Sequence, residues 1–303
     1  MFTFLFKGGY SLKNRINSSS PLISIIACSI LFSCATTPQT QWKSRDGDAE
    51  VYNTRGLAHC QKNQYDQAIS DLTKAIEMNP QLAQAYNNRG WAYMEKGQYS
   101  QAILDFNEAI AINPWNAHVY NNRGWAYLYK GQYDQAISDL SKAIEINPQL
   151  AHAYNNRGWA YMEKGQYSQA ILDFNEAIAI NPKLAQSYNN RGSAYLYETQ
   201  YDQAISDLSK AIEINPRLAH AYNNRGWAYI KKWQYDQALS DFNKTIKIDP
   251  RFAEAYFNRA VVYFFKEEYD KSLVDAIKAQ QLGYQIPPQF LDDLRKAAGG
   301  MGV

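Results

Sequence analysis

The nonapeptide AYNNRGWAY fills residues 85–93 and returns letter for letter at 153–161 and 221–229, with VYNNRGWAY at 119–127 and SYNNRGSAY at 187–195 between the copies. Successive copies lie 34 residues apart. A period of this order constrains the fold more than any local propensity. No single unit is large enough to bury its own apolar face, so each must stack on the next.

From Ala49 the chain divides into 34-residue blocks beginning at Ala49, Ala83, Ala117, Ala151, Ala185, Ala219 and Ala253. The blocks at Ala83 and Ala151 differ at three positions, and those at Ala117 and Ala185 are near-copies, so the middle reads as a duplicated 68-residue pair. Each block predicts two helices. In the second block the first runs from Ala83 to about Lys96, with Ala85, Tyr86, Gly90, Ala92 and Tyr93 mostly three or four apart. Gly97 supplies a left-handed stop. Ser100, or the Asp at its place elsewhere (Asp66, Asp134, Asp202, Asp236, Asp270), is expected to N-cap the second helix.

That second helix carries the apolar stripe Ala102, Ile103, Phe106, Ala109 and Ile110. Asn113-Pro114 ends the unit, and Pro80, Pro148, Pro182, Pro216 and Pro250 fall at the same phase. In the fifth and sixth blocks Glu198-Thr199 and Lys232-Trp233 replace Lys-Gly, so those two turns are expected to be less relaxed.

Tyr86, Gly90, Tyr93, Ala102, Ala109 and Pro114, with Phe106 between the alanines, resemble the signature of the tetratricopeptide repeat (TPR), a 34-residue helix–turn–helix. The resemblance implies an all-α, right-handed α-solenoid superhelix of seven repeats over residues 49–282. A C-terminal cap and tail follow over 283–303, with a capping helix from Pro288 to Ala298. His59 in the first block, and Ala260, Ser272 and Ala276 in the seventh, depart from the pattern.

Where TPR proteins usually hold an apolar residue, every block here has Arg: Arg55, Arg89, Arg123, Arg157, Arg191, Arg225 and Arg259. Asp follows sixteen residues later in each, at Asp71, Asp105, Asp139, Asp173, Asp207, Asp241 and Asp275. A planar guanidinium suits a carboxylate, which predicts a ladder of ion pairs between helices; binding of an acidic ligand is the alternative.

The resemblance also implies that the first helix of each pair lines a concave groove. Its groove positions hold Asn87, Asn88, Asn121, Asn122, Asn155, Asn156, Asn189, Asn190, Asn223 and Asn224, together with Trp91, Trp125, Trp159 and Trp227. His118, His152 and His220 stand near the edge. Asn amides suit a peptide backbone and indoles supply flat contact area, so the expected partner is a protein or peptide. The alternative for the Asn pairs is hydrogen bonding between neighbouring helices; for Trp it is padding of the stack. The Lys and Arg set with which related co-chaperones grip a C-terminal carboxylate is replaced here by Gln, His and Asn.

Net charge is +2, from 31 basic and 29 acidic residues, which gives no whole-chain field for nucleic acid. HExxH, CxxC, GxSxG and a glycine-rich phosphate loop are absent from the sequence. No catalytic residue, metal site or cofactor is expected.

Residues 1–33 are written in a different style. Lys7, Lys13 and Arg15 precede an apolar run from Leu22 to Phe32, too short to span a membrane but suited to a signal peptide. Leu31-Phe32-Ser33-Cys34 resembles a bacterial lipoprotein signal, with Cys34 as the lipidated residue and Cys28 as a second candidate; Phe32 is bulkier than that pattern prefers. Residues 34–48 read as a flexible linker. These features imply a bacterial cell envelope protein attached to the membrane only through the lipid. An uncleaved tail, a soluble periplasmic or secreted form, or a mis-assigned start and a cytoplasmic location are the alternatives.

The sequence therefore predicts a non-enzymatic scaffold for a partner protein in envelope assembly or secretion. A structural spacer, or a solenoid that self-associates end to end, is the alternative function. The intact mass of native protein is expected to match a lipidated chain starting at Cys34, and an unmodified chain starting at Met1 would overturn that expectation.

Overall fold

The computed structural model describes residues 48–299. The proposed signal, Cys28, Cys34 and the linker up to residue 47 lie outside the described residues. Among the described residues there are fifteen α-helices and no strand. The chain divides into two compact units. The first, described from Asp48 to Lys164, holds α1 (Ala49–Gln61), α2 (Tyr65–Met78), α3 (Ala83–Glu95), α4 (Tyr99–Ile112), α5 (Ala117–Tyr129), α6 (Tyr133–Ile146) and α7 (Ala151–Glu163). The second, from Gly165, holds α8 (Tyr167–Ile180), α9 (Ala185–Tyr197), α10 (Tyr201–Ile214), α11 (Ala219–Lys231), α12 (Tyr235–Ile248), α13 (Ala253–Phe265), α14 (Tyr269–Gln281) and α15 (Pro288–Gly299).

Within each unit consecutive helices pack on one another, and the two helices of a repeat make the most extensive contacts. The reason lies in small residues set against one large one. Ala92, Ala102 and Ala109 are buried, and Gly90 sits against the ring of Phe106 so closely that a Cβ there would fall 2.7 Å from the ring. Gly226 does the same over Phe242, while Gly56, Gly124 and Gly192 meet Leu72, Leu140 and Leu208. The first helix is notched, and the bulky residue of the second fills the notch. Leu72, Phe106 and Leu140 alternate in that role in the first unit, and Leu208 and Phe242 in the second, following the 68-residue pairing of the sequence.

The expected N-caps are corrected by the structure. Each second helix begins two residues earlier than that reading requires, at Tyr, with Gln64, Gln98, Gln132, Gln166, Gln200, Gln234 or Glu268 before it and no side-chain cap. The Asp side chains are used elsewhere: Asp66 pairs with Lys96, Asp134 with Lys164 at 2.5 Å, Asp202 with Lys232 and Asp236 with Lys266 at 2.7 Å. Where Ser stands in place of Asp, Lys130 donates to Ser100 and Ser168 donates to Glu198 across the same thirty residues. A residue placed to cap its own helix instead pins the first helix of the following repeat.

The seventh repeat is closed by α15. Phe290 and Leu294 are buried in a cluster with Phe257, Ala260 and Ala276, and Tyr284 stacks on Phe257 at 4.9 Å. No described helix is long and apolar enough to cross a membrane.

The turn residue between the helices of a repeat is left-handed throughout. Gly97, Gly131 and Gly165 take φ of 72°, 70° and 73°, while Thr199, Trp233 and Glu267 take 57°, 61° and 59°. A β-branched or bulky residue in this region is strained by the approach of its Cβ to the backbone, at roughly 1–2 kcal/mol. Thr199→Gly is expected to raise stability by about 1 kcal/mol, offset in part by the greater entropy of the unfolded chain. Chemical denaturation of the full chain checks this, and a lower midpoint for the glycine variant would show the turn to be unstrained.

Candidate partner-binding site

The arginines come first, because they fix the surface on which everything else stands. Arg123 Nε and Nη2 donate to the two carboxylate oxygens of Asp139, each at 2.7 Å, and Nη1 donates to Asn107 at 2.7 Å. Its guanidinium also lies over the ring of Tyr120, 5.6 Å from the centroid. One side chain on α5 thus grips the second helix of its own repeat and that of the preceding one. The same bidentate geometry joins Arg55 to Asp71, Arg89 to Asp105, Arg191 to Asp207, Arg225 to Asp241 and Arg259 to Asp275. The backward bond goes to Thr73 from Arg89, to Ser141 from Arg157, to Asn175 from Arg191, to Ser209 from Arg225 and to Asn243 from Arg259.

The carboxylates lie between helices with little solvent access. In the first repeat, Arg55 holds the Asp71 carboxyl below its ordinary range. At Asp105 and Asp241 burial pushes the carboxyl up despite the opposing pull of the arginine. There the desolvation of the pair is as large a quantity as its attraction, as expected for ion pairs taken out of water.

The asparagine pairs are spent on one another. Asn88 donates to Asn53 at 3.0 Å, Asn122 to Asn87 and Asn156 to Asn121 at 3.1 Å, Asn224 to Asn189 at 3.2 Å and Asn258 to Asn223 at 3.1 Å. Within a pair, Asn121, Asn155 and Asn189 donate weakly to Asn122, Asn156 and Asn190. Asn121, Asn122, Asn155, Asn189, Asn223 and Asn224 are buried; Asn87, Asn88, Asn156 and Asn190 are half-buried. Of the two readings of these pairs, peptide recognition and hydrogen bonding between neighbouring helices, the contacts observed are of the second kind. The geometry makes them a ladder between neighbouring first helices, as an amide that is both donor and acceptor allows.

The indoles remain partly open. Trp91, Trp125, Trp159 and Trp227 are all half-buried. In the first unit Trp91 stacks on Trp125 with centroids 5.4 Å apart, Trp125 meets Tyr129 at 5.6 Å and Tyr129 meets Trp159 edge-on at 5.8 Å. In the second unit Lys231 lies over Trp227 at 4.9 Å, with its ammonium pushed to lower pKa by burial. Ser193, which takes the place of Trp in the fifth repeat, is buried and accepts from Asn224 at 2.8 Å. His118 is exposed and His152 half-buried, and burial holds the His152 imidazole below its ordinary pKa.

One set of residues escaped the reading of the nonapeptide because it lies four residues beyond its Trp. Glu95, Tyr129 and Glu163 end the first helices, and the Tyr that opens each second helix reaches them across thirty residues. Tyr65 donates to Glu95 at 3.2 Å, Tyr99 stacks on Tyr129 at 5.1 Å and Tyr133 donates to Glu163 at 3.3 Å. The signal was present in the sequence as Tyr at every second-helix start. Among the described residues no group of three or more His, Cys, Asp or Glu is placed to hold a metal ion.

The ladders end in the seventh repeat. Phe257 stands where Asn would accept from a following repeat, and Ile277 stands where Thr, Asn or Ser accepts the backward bond of the next arginine. In the first repeat Thr54 replaces the donor Asn.

The tetratricopeptide repeat profile matches residues 83–116, 117–150, 151–184, 185–218 and 219–252, and a second TPR repeat profile matches residues 56–97. No curated protein sequence matches the chain. Among solved structures, a tetratricopeptide repeat protein from Parabacteroides merdae is similar with a TM-score of 0.63 at 21% identity, over 82% of this chain and 98% of its own. PilF of Pseudomonas aeruginosa is similar with a TM-score of 0.60 at 21% identity, over 69% and 95% of the two chains. PilW, a type IV pilus biogenesis factor, gives 0.62 at 17% identity over 68% and 96%. At these identities the likeness is one of fold.

Removing one partner of a buried ion pair leaves the other charge uncompensated, at about 3–5 kcal/mol. Arg123→Ala is expected to lower the melting temperature markedly, whereas Arg123→Leu combined with Asp139→Leu recovers much of the loss by removing both charges. Unchanged stability in the single variant would move Arg123 from packing to ligand binding.

Proposed function

The chain belongs to the tetratricopeptide repeat family, and we propose that it is a non-enzymatic scaffold that holds an extended segment or helix of a partner protein against its first helices. Repeats of this family generally bind protein or peptide partners, and their fold is typically a non-catalytic scaffold. The observation that carries the reading is the row Trp91, Trp125 and Trp159 in the first unit, half-buried and left partly open by the packing. Indoles combine large apolar area with one donor, which suits them to anchor a partner. Trp227 offers a separate contact in the second unit.

We further assign the scaffold to the bacterial cell envelope, lipid-anchored through Cys34, in assembly or secretion. The support for this is the sequence Leu31-Phe32-Ser33-Cys34, and the type IV pilus biogenesis factor PilW is a protein with the same fold. The spacer reading has one specific argument against its self-assembling form. A first repeat arriving at the end of another copy would bring Arg55 to Ile277, which offers no acceptor, and would meet Phe257 in place of Asn.

Selection of extended peptides from a displayed random library tests the groove. Peptides that bind the wild-type chain are expected to lose about tenfold or more in affinity to a folded Trp125→Ala, Trp159→Ala variant, a loss of about 1.4 kcal/mol or more. Equal binding to both would move the site off the first helices, and failure to select any peptide would favour the spacer.

A further inference from the structure

Glu95 and Glu163 occupy the same place in two repeats that differ only at Gln84/His152, Trp115/Lys183 and Asn116/Leu184. Their carboxylates are nevertheless treated differently. Glu163 is satisfied at both oxygens: Oε1 accepts from Trp159 Nε1 at 3.0 Å and Oε2 from Tyr133 at 3.3 Å. Glu95 Oε2 lies 3.2 Å from the Tyr65 hydroxyl, whose single proton is shared with Asn63 Oδ1 at 2.8 Å, and Oε1 is buried without a hydrogen-bond partner. The indole that would donate to it, by analogy with Trp159, is that of Trp91, which lies instead on Trp125.

The surroundings of Glu95 are aromatic. Its charge is felt by Tyr99, Tyr129 and the buried Cys60, whose thiol is pushed up to about 12 by burial first and by Glu95 second. Tyr99 stacks on Tyr129, Tyr129 adjoins Trp125 and Trp125 carries Trp91. Burial pushes the Glu95 carboxyl up, and the opposing influence is the hydrogen bond from Tyr65, with no cationic side chain acting on it. A carboxylate among aromatic rings without a cation of its own is the chemistry that receives one, since ring faces and the carboxylate both attract positive charge.

We propose, on the reading of the first helices as the partner-binding surface, that Glu95 is a specificity residue that receives the ammonium of a lysine side chain from the bound segment, with Trp91, Trp125 and Tyr129 around the lysine stem. A primary ammonium fits better than a guanidinium. Oε1 is the oxygen without a partner, and it alone can meet a point charge, whereas a planar fork would have to share Oε2 with Tyr65. A neutral amide would fill the hydrogen bond and leave the charge unpaired. Because Oε1 is buried, entry displaces a ring. Trp91 is the ring with a second seat, the one that Trp159 takes beside Glu163.

The full chain is titrated with Nα-acetyl-lysine methylamide and with the norleucine analogue, which lacks the ammonium, at constant ionic strength, following the indole N–H resonances by NMR. The lysine derivative is expected to saturate, to bind about tenfold more tightly than the norleucine analogue, and to weaken about tenfold in Glu95→Gln while retaining its affinity for Glu163→Gln. Equal binding of the two probes, equal binding to wild type and Glu95→Gln, an equal loss in Glu163→Gln, or no saturable binding would each overturn the assignment. If displayed peptides bind through Trp125 and Trp159 while the lysine probe fails, the groove stands and the ammonium site falls.

Discussion

The backward hydrogen bond of each arginine from Arg89 onward decides how the repeats meet. A bidentate Arg–Asp pair alone would only join the two helices of one hairpin, such as α5 and α6 through Arg123 and Asp139. The third donor, to Asn107 on α4, brings in the preceding hairpin and fixes the register between them. Planarity makes this possible: a guanidinium presents its donors in a rigid fork, so orienting two of them toward Asp139 aims the third. The Tyr rings beneath the guanidinium planes add area to the same joint. Burial works against the carboxylates at Asp105 and Asp241, so the pair is better understood as setting geometry than as a large source of stability.

With that register fixed, the asparagine pairs of adjacent first helices come within reach of each other and close a second ladder. This has a consequence for recognition. Amides that already donate and accept internally have less to offer a ligand, so in the proposed scaffold recognition passes to groups on the same helices that packing leaves incomplete. In the first unit these are indole faces and the Glu95 carboxylate. In the second unit Ser193 is drawn into the asparagine ladder and Lys231 covers Trp227, so the corresponding positions present a different chemistry.

Much of the fold could be read from the chain alone because a period of 34 residues leaves few ways to bury an apolar stripe. The arginine–aspartate pairing was legible from spacing, since a polar residue repeated in register with its opposite charge implies contact. The left-handed Thr199 and Trp233 were legible from the glycines they replace. What misled was local reasoning applied to a stacked structure. Asp66 and its equivalents look like caps for the helix they open, yet their partners are lysines of the next repeat, thirty residues away. The asparagines look like ligand groups because their type suits a peptide, and nothing in one block reveals that the next supplies their partners. The difference between Glu95 and Glu163 could not be read locally at all. Their own repeats are nearly identical, and it is the neighbours that determine where the indole lies.

The substitutions at the two ends of the ladders carry a consequence for how such a chain changes over generations. Thr54 at the beginning, and Phe257 and Ile277 at the end, interrupt ladders that run from block to block within each unit. Insertion or deletion of one interior 68-residue pair would leave both terminators and every remaining joint chemically intact. Unequal recombination within the near-identical middle could therefore lengthen or shorten the protein in steps of two repeats, altering how much of a partner it spans while each product still begins and ends correctly.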